Sequence, residues 1–89
     1  LAGGDTLTRD QAFKLVTAER DRQENLWAGD HGWGRGSCFS DQVAAPVKVA
    51  VLTEECGEVA RAVLDRNHDN LYVELVQCAA VCVAWLESL

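Results

Sequence analysis

Two acidic patterns in the second half of the chain have the residue types and the spacing of a cation site. The first is EECGE at residues 54–58, and the second, fifteen residues later, is ELVQ at residues 74–77. On a helix, residues three apart share a face, so Glu55 and Glu58 would point the same way, as would Glu74 and Gln77. Packing two such helices together would bring carboxylates to one place from both sides.

The setting of Glu74 gives the stronger indication of a metal. It lies in the most apolar segment of the chain, where an unpaired carboxylate is costly to bury, so we expect it to have a partner. Two carboxylates about 6 Å apart repel by roughly 3 kcal/mol at an effective dielectric constant of about 20. A divalent cation would remove that repulsion, and a few carboxylates with water in the remaining positions are typical ligands of Mg²⁺.

Two simpler interpretations stay open at this point. The acids of residues 54–58 would also suit a solvated helix face that pairs with Arg61 and Lys48, because adjacent acids are common on exposed faces. Glu74 would also suit a buried salt bridge. The basic residues considered for that bridge are Arg20, Arg22, Lys48 and Arg61.

Three helices are predicted to position these residues, so the expected fold is all-α, a small helical bundle of three main helices. The predicted spans are 8–27, 44 or 46 to 66, and 70–88. Thr8 and Gln11 have the form of a capping box at the first start. The third helix is apolar on two sides, which predicts a place at the centre of a bundle or across a dimer interface. No strand is expected.

The connection between the first two helices is predicted to be a loop. Residues 28–41 carry four glycines among polar residues. We expect a flexible surface segment that closes over a ligand through Trp33, with a phosphate cradle as the alternative, although neither a Walker A nor a dinucleotide pattern is present.

His31 and His68 are expected at the surface. Gly57, inside the second helix, predicts the close approach of another backbone or room for a ligand.

Length and composition predict one small domain. The chain has 89 residues, 48% of them hydrophobic and 25% charged, which is typical of a folded soluble protein. A core of this size is marginal, so association into a homodimer or homotetramer is expected. Residues 7–89 are assigned to the domain, and residues 1–6 to a disordered lead or a cloning remnant.

Charge and cysteine content exclude several classes of partner. A net charge of −6 argues against a nucleic-acid or anionic-membrane surface. The longest apolar run, from Cys78 to Leu86, is too short to span a bilayer. The four cysteines lack the paired spacing of a zinc site, and Cys78 and Cys82 are interpreted as buried free thiols, which favours a cytoplasmic protein.

The acidic patterns and their surroundings resemble the MazG-like all-alpha nucleoside triphosphate pyrophosphohydrolases. That family carries EExxE followed, after a variable gap, by ExxD. The stretch at residues 19–23 (ERDRQ) with Trp27 is similar to the first helix of the family, and residues 52–59 (LTEECGEV) are similar to its second. The resemblance covers the chain from about Leu7 to its end.

The resemblance implies a four-helix-bundle-like core completed by a second subunit, and Mg²⁺, or Mn²⁺ in its place, as the cofactor. The implied reaction cleaves a nucleoside triphosphate between its alpha and beta phosphorus atoms, as in house-cleaning of the nucleotide pool. Glu55, Glu58 and Glu74 would be metal ligands, with Gln77 at the fourth motif position. Glu54 and Glu55 would be the catalytic carboxylates, with Glu54 as a further ligand, a group that supports a ligand, or a base that orients water.

Gln77 departs from the family pattern, which has Asp at that position. A neutral amide brings an oxygen but no charge, so metal affinity should fall. The prediction of an enzyme therefore has an alternative, which is a non-catalytic module that binds a nucleotide or a protein. The expected substrate contacts are Gln23 to a base edge, Trp27 stacked on the base, and Arg22, Lys48 or Arg35 on phosphates; core packing is the alternative for Trp27.

Overall fold

A computed structural model describes residues 6–89 as an all-α bundle, as the sequence predicts. The helices are α1 (Arg9–Leu26), α2 (Ala45–Leu64) and α3 (His68–Ser88). The lead is predicted for residues 1–6, and residues 1–5 of it lie outside the described part of the chain.

The helix ends follow local signals in the sequence. At the start of α1, the Thr8 hydroxyl accepts from the backbone N–H of Gln11 while the Gln11 side chain accepts from that of Thr8, so the predicted capping box is confirmed. Pro46 stands in the first turn of α2, where a missing N–H costs nothing. Helix α3 begins two residues earlier than predicted, because Asn67 caps it by accepting from Asn70 N–H.

The prediction of no strand between α1 and α2 is wrong. A short antiparallel hairpin joins β1 (Asp30–His31) to β2 (Gly34–Arg35), with Asp30 opposite Arg35 and His31 opposite Gly34. Strands this short leave no alternating pattern in the sequence. Gly34 has φ +146°, and a Cβ there would lie 2.9 Å from the Gln42 carbonyl oxygen, so the close approach of the loop requires glycine.

Helix α3 packs against both α1 and α2 and is the central helix, as its two apolar sides predict. The core around it is small, and the hydrophobic residues that are buried in it are mostly short ones: Cys38, Val43, Ala62, Ala80, Val81 and Ala84. Large apolar side chains stay exposed on α1 and α3, among them Phe13, Val73 and Leu75. One chain therefore covers only part of its apolar surface.

Of the two explanations offered for Gly57, the structure agrees with the second, room for a ligand. A Cβ at Gly57 would meet no atom within 4 Å, so within the described chain no second backbone approaches it. The buried positions expected for Cys78 and Cys82 are wrong, because both side chains are half-buried. Cys78 lies opposite the exposed Cys56 at the edge of the α2–α3 interface, where it is only partly covered.

By length and composition alone, α3 is apolar enough to cross a membrane, with 21 residues. The core helix of a soluble bundle has the same properties. The length and composition of α3 are therefore weak evidence for a membrane span, and the absence of a membrane partner stays a prediction.

Candidate metal site and adjacent cavity

Three carboxylates from two helices meet at the interface of α2 and α3. Glu55 and Glu58 stand one turn apart on α2, Glu74 faces them from α3, and one oxygen of each lies within 4.8 Å of the others. The i, i+3 spacing places both α2 acids on the same face, so the packing of two helices is enough to assemble the group. We call Glu55, Glu58 and Glu74 the acidic cluster.

The acidic cluster is strained electrostatically without a cation. Glu74 is only 8% exposed, and its Oε2, like Oε2 of Glu55, is buried without a hydrogen-bond partner. Burial, a hydrogen bond with Glu58, and the charges of Glu58 and Glu55 together raise the pKa of Glu74 to about 7. Burial, followed by the charges of Glu58, Glu54 and Glu19, also raises the pKa of Glu55.

The salt-bridge alternative for Glu74 is not what the described residues form. Arg20 pairs with Glu24 and Glu87, each at 2.7 to 2.8 Å, and is held away from the cluster. The other three candidates also have partners elsewhere: Arg22 with Glu19, Arg61 with Asp65, and Lys48 with Ser88. Glu74 therefore has no basic partner among residues 6–89.

Helix α1 contributes a fourth carboxylate that sequence reasoning did not assign to the site. Glu19 accepts two hydrogen bonds of 2.8 Å from Arg22, and these lower the pKa of Glu19. The Glu19 charge raises the pKa of Glu55 while the Arg22 charge lowers it, so both residues act on the cluster. The sequence signal for this role is that Glu19 lies on the same face of α1 as its apolar residues.

Gln23 links α1 to α3. The Gln23 side chain is 8% exposed, and Nε2 donates to Glu19 Oε2 at 3.0 Å and to the Gln77 backbone oxygen at 3.2 Å. Both donors of this amide are therefore used inside the protein. Only the oxygen of the Gln23 side chain is left to read a base edge.

A cavity of about 170 Å³ lies beside the cluster, between all three helices and the hairpin segment. Glu54, Glu55 and Gln77 form its acidic and amide side, and three of the five predicted substrate contacts, Arg22, Gln23 and Trp27, line it. Trp33, which was expected to close over a ligand, also lines it, and residues that were not predicted complete the wall: Leu26, Ser37, Cys38, Val51 and Val81. Metal-type and substrate-type residues thus share one cavity.

The structure places two predicted substrate contacts, Arg35 and Lys48, outside the cavity. Arg35 is exposed on β2 and pairs with Asp30. The Lys48 side chain is buried, and its Nζ donates to Ser88 Oγ at 3.2 Å near the far end of α3. Lys48 stands two turns before Glu55 on α2, so its spacing alone predicted that it could reach the phosphates of a substrate bound there. Because α2 and α3 run antiparallel, the beginning of α2 lies beside the end of α3 instead.

Aromatic side chains close one side of the cavity. The Trp27 ring lies 5.1 Å from those of Trp33 and His31, and His31 lies 4.0 Å from Trp33, between ring centroids. His31 is half-buried, and its Nε2 donates to the Gly36 carbonyl at 2.7 Å, so the expected surface position for His31 is wrong. The hairpin, which folds His31 back onto Trp27, is the reason; His68 is exposed, as predicted.

Comparisons of the chain with protein-family models, with curated proteins and with solved structures find no match. The likeness to the MazG-like proteins therefore rests on the residues of the motif and its helical context.

Proposed function

We propose that this protein is a Mg²⁺-dependent nucleoside triphosphate pyrophosphohydrolase that releases a nucleoside monophosphate and pyrophosphate. The observation that carries the proposal is the buried, unpartnered oxygen of Glu74, within 4.8 Å of oxygens from Glu55 and Glu58. A site that collects three acids without a basic partner is suited to a cation. A cation site beside an aromatic-lined cavity is suited to a nucleotide.

The donor set fits Mg²⁺, or Mn²⁺ in its place. Glu55, Glu58 and Glu74 would hold the ion through hard carboxylate oxygens, and the exposed position of Glu58 leaves room for water. When bound, the ion would supply charge neutralisation for the phosphates. Its affinity would rise with pH, because Glu74 must lose its proton to serve as a ligand.

Other residues of the chain would activate the attacking water and bind the substrate. Glu54 is exposed at the edge of the cavity and would accept the proton of the attacking water. Arg22, half-exposed on the same wall, would meet a phosphate oxygen while Glu19 holds its guanidinium in place. Trp27, with Trp33 beside it, would stack on the base.

Self-association is part of the proposal. Small-molecule sites are usually about 300–1,000 Å³, whereas the cavity of one chain is about 170 Å³. An apolar groove on α1 and α3, lined by residues such as Val16 and Leu75, is open to a second copy. We expect a homodimer or homotetramer, which sedimentation equilibrium would test.

Pyrophosphate release is the direct test of the activity. The protein is incubated with Mg²⁺ and a panel of canonical and modified nucleoside triphosphates, and we expect pyrophosphate from at least one of them. Glu74→Gln should lower the rate about 100-fold or more, since it removes a ligand charge. Asp21→Asn, which removes an exposed charge of α1 outside the cluster, should leave the rate unchanged. No release from any substrate would overturn the proposal.

One observation favours a second candidate, a module that binds a nucleotide without hydrolysing it. Gln77 lines the cavity as a neutral amide where the family pattern places Asp, so the site has one negative charge fewer. Titration calorimetry separates the two. Nucleotide binding that depends on Mg²⁺, with no turnover over hours, would support the module and contradict the hydrolase.

A further inference from the structure

Two thiols face each other beside the acidic cluster. Cys56 on α2 and Cys78 on α3 have their sulfur atoms 3.7 Å apart, and both are free. Each is a direct chain neighbour of a site residue, Cys56 of Glu55 and Cys78 of Gln77. The pair therefore spans the same helix interface as the carboxylates.

The geometry of the pair is close to that of a bridge. A disulfide has a sulfur–sulfur distance of about 2.05 Å, so the two atoms, now 3.7 Å apart, need to approach by about 1.7 Å. Rotations of the two side chains cover most of such a distance, because each sulfur moves on a circle about its own Cα–Cβ bond. The exposed position of Cys56 lets a reagent in solution reach it, whereas Cys38 is buried in the core.

We propose that Cys56 and Cys78 form a reversible disulfide that ties α2 to α3 next to the acidic cluster, with a small-molecule disulfide as the oxidant. The proposal rests on the sulfur positions and does not depend on the hydrolase activity. It assigns Cys56 as the thiol that reacts first and Cys78 as the thiol that resolves the mixed disulfide.

The exchange is balanced in atoms and electrons. The Cys56 sulfur, after losing its proton, attacks one sulfur of the oxidant, whose S–S bond breaks and whose other half leaves as a thiol carrying that proton. The deprotonated Cys78 sulfur then attacks the Cys56 sulfur, and the second half leaves as a thiol with the Cys78 proton. Two protein thiols lose two electrons in total, and the oxidant gains them.

The experiment uses glutathione disulfide on the full chain, followed by alkylation of free thiols and mass spectrometry. After cleavage at Lys and Arg, Cys56 lies in residues 49–61 and Cys78 in residues 67–89. We expect these two peptides to be joined by a disulfide. The oxidised chain should be lighter by two hydrogens and should not be linked to other copies. Dithiothreitol should reverse the oxidation fully. Oxidation should raise the midpoint of thermal unfolding by about 10 °C, because the bridge restricts the unfolded chain.

Matched serine variants identify the partners, since residues 67–89 contain Cys82 as well. Cys82→Ser should form the bridge as the natural chain does, while Cys78→Ser should stop at the mixed disulfide of Cys56 with glutathione. Cys56→Ser should keep Cys78 alkylatable. A bridge that survives Cys78→Ser but not Cys82→Ser, a natural chain that stops at the mixed disulfide, or dimers linked through Cys56 would each overturn the proposal.

Discussion

Glu58 on α2 and Glu74 on α3 face each other across the helix interface, each with a carboxylate oxygen within 4.8 Å of the other. Two acids in this position repel when both are ionised, and the burial of Glu74 makes its ionisation costly. Near neutral pH the cluster therefore keeps a proton, and a cation that bound there would compete with it. The pH dependence of stability follows from that competition.

We expect the metal-free protein to become less stable as the pH rises from about 5 to about 8. The pKa of Glu74 is about 7 in the folded chain and has an ordinary value of 4.5. Between those values the folded state holds a proton that the unfolded state has released, so its stabilising effect is complete at low pH and is lost as pH rises through 7. The loss is at most about 3 kcal/mol. Urea unfolding in the presence of a chelator measures it.

The Glu74→Gln variant is the control for this profile. It cannot release a proton at this site, so its stability should vary less with pH, and the difference between the two profiles isolates Glu74 from other titrating groups. Asp21→Asn should keep the natural slope. A natural chain that gains stability across this range, relative to Glu74→Gln, would contradict the raised pKa.

Added Mg²⁺ should stabilise the protein more at about pH 8 than at about pH 5. At low pH the ion must displace the Glu74 proton, and at high pH the carboxylates are already free to bind it. Thermal unfolding with and without millimolar Mg²⁺ measures the difference. Equal shifts at both pH values, or equal shifts in Glu74→Gln, would show that the ion binds elsewhere.

Most of the helical framework and the acidic cluster were predictable because their signals are local. Capping residues mark helix starts, and an i, i+3 spacing places Glu55 and Glu58 on one face whatever the tertiary fold. Glu74 was identifiable because it is a single acid in an apolar segment, and that property does not depend on the packing partner.

The site predictions that are wrong depend on how the helices pack. Lys48 is on the same helix as Glu55, but α2 and α3 run antiparallel, so Lys48 lies beside Ser88 near the end of α3. Glu19 enters the site only because α1 packs along α3. The position of His31 depends on a hairpin of two-residue strands, whose pairing no local pattern encodes. Each of these requires the tertiary arrangement.

Gln77→Asp should raise the affinity for Mg²⁺ about 10-fold or more, since it adds a charged oxygen at the fourth motif position. If the hydrolase proposal holds, it should also raise the rate of pyrophosphate release. Gln77→Asn is the matched control, because it shortens the side chain equally without adding charge. Calorimetry with Mg²⁺ measures the affinity; equal affinities in the two variants would place residue 77 outside the metal site.

Arg20→Ala should destabilise the fold by about 2 kcal/mol, measured by urea unfolding. The Arg20 side chain is 10% exposed, binds Glu24 and Glu87, and lies over the Phe39 ring at 5.7 Å. Its removal loses packing and leaves two acids without their partner. Arg61→Ala is the comparison, because that side chain is 71% exposed and its ion pair with Asp65 should contribute less than about 1 kcal/mol. A larger loss for Arg61 would contradict this assignment.

Trp27→Ala should weaken the binding of a nucleoside triphosphate by a factor of about 5 to 150, the range expected from losing one base-stacking contact. The Trp27 ring lies on the cavity wall, 5.1 Å from that of Trp33, so it presents an aromatic surface to a base rather than a charge to a phosphate. Inorganic tripolyphosphate provides the control, because it carries the phosphates without a base. Calorimetry in Mg²⁺ should find its affinity unchanged by the substitution. An equal loss for both ligands would mean that Trp27 only supports the packing of the hairpin against α1, which was the alternative interpretation of this residue.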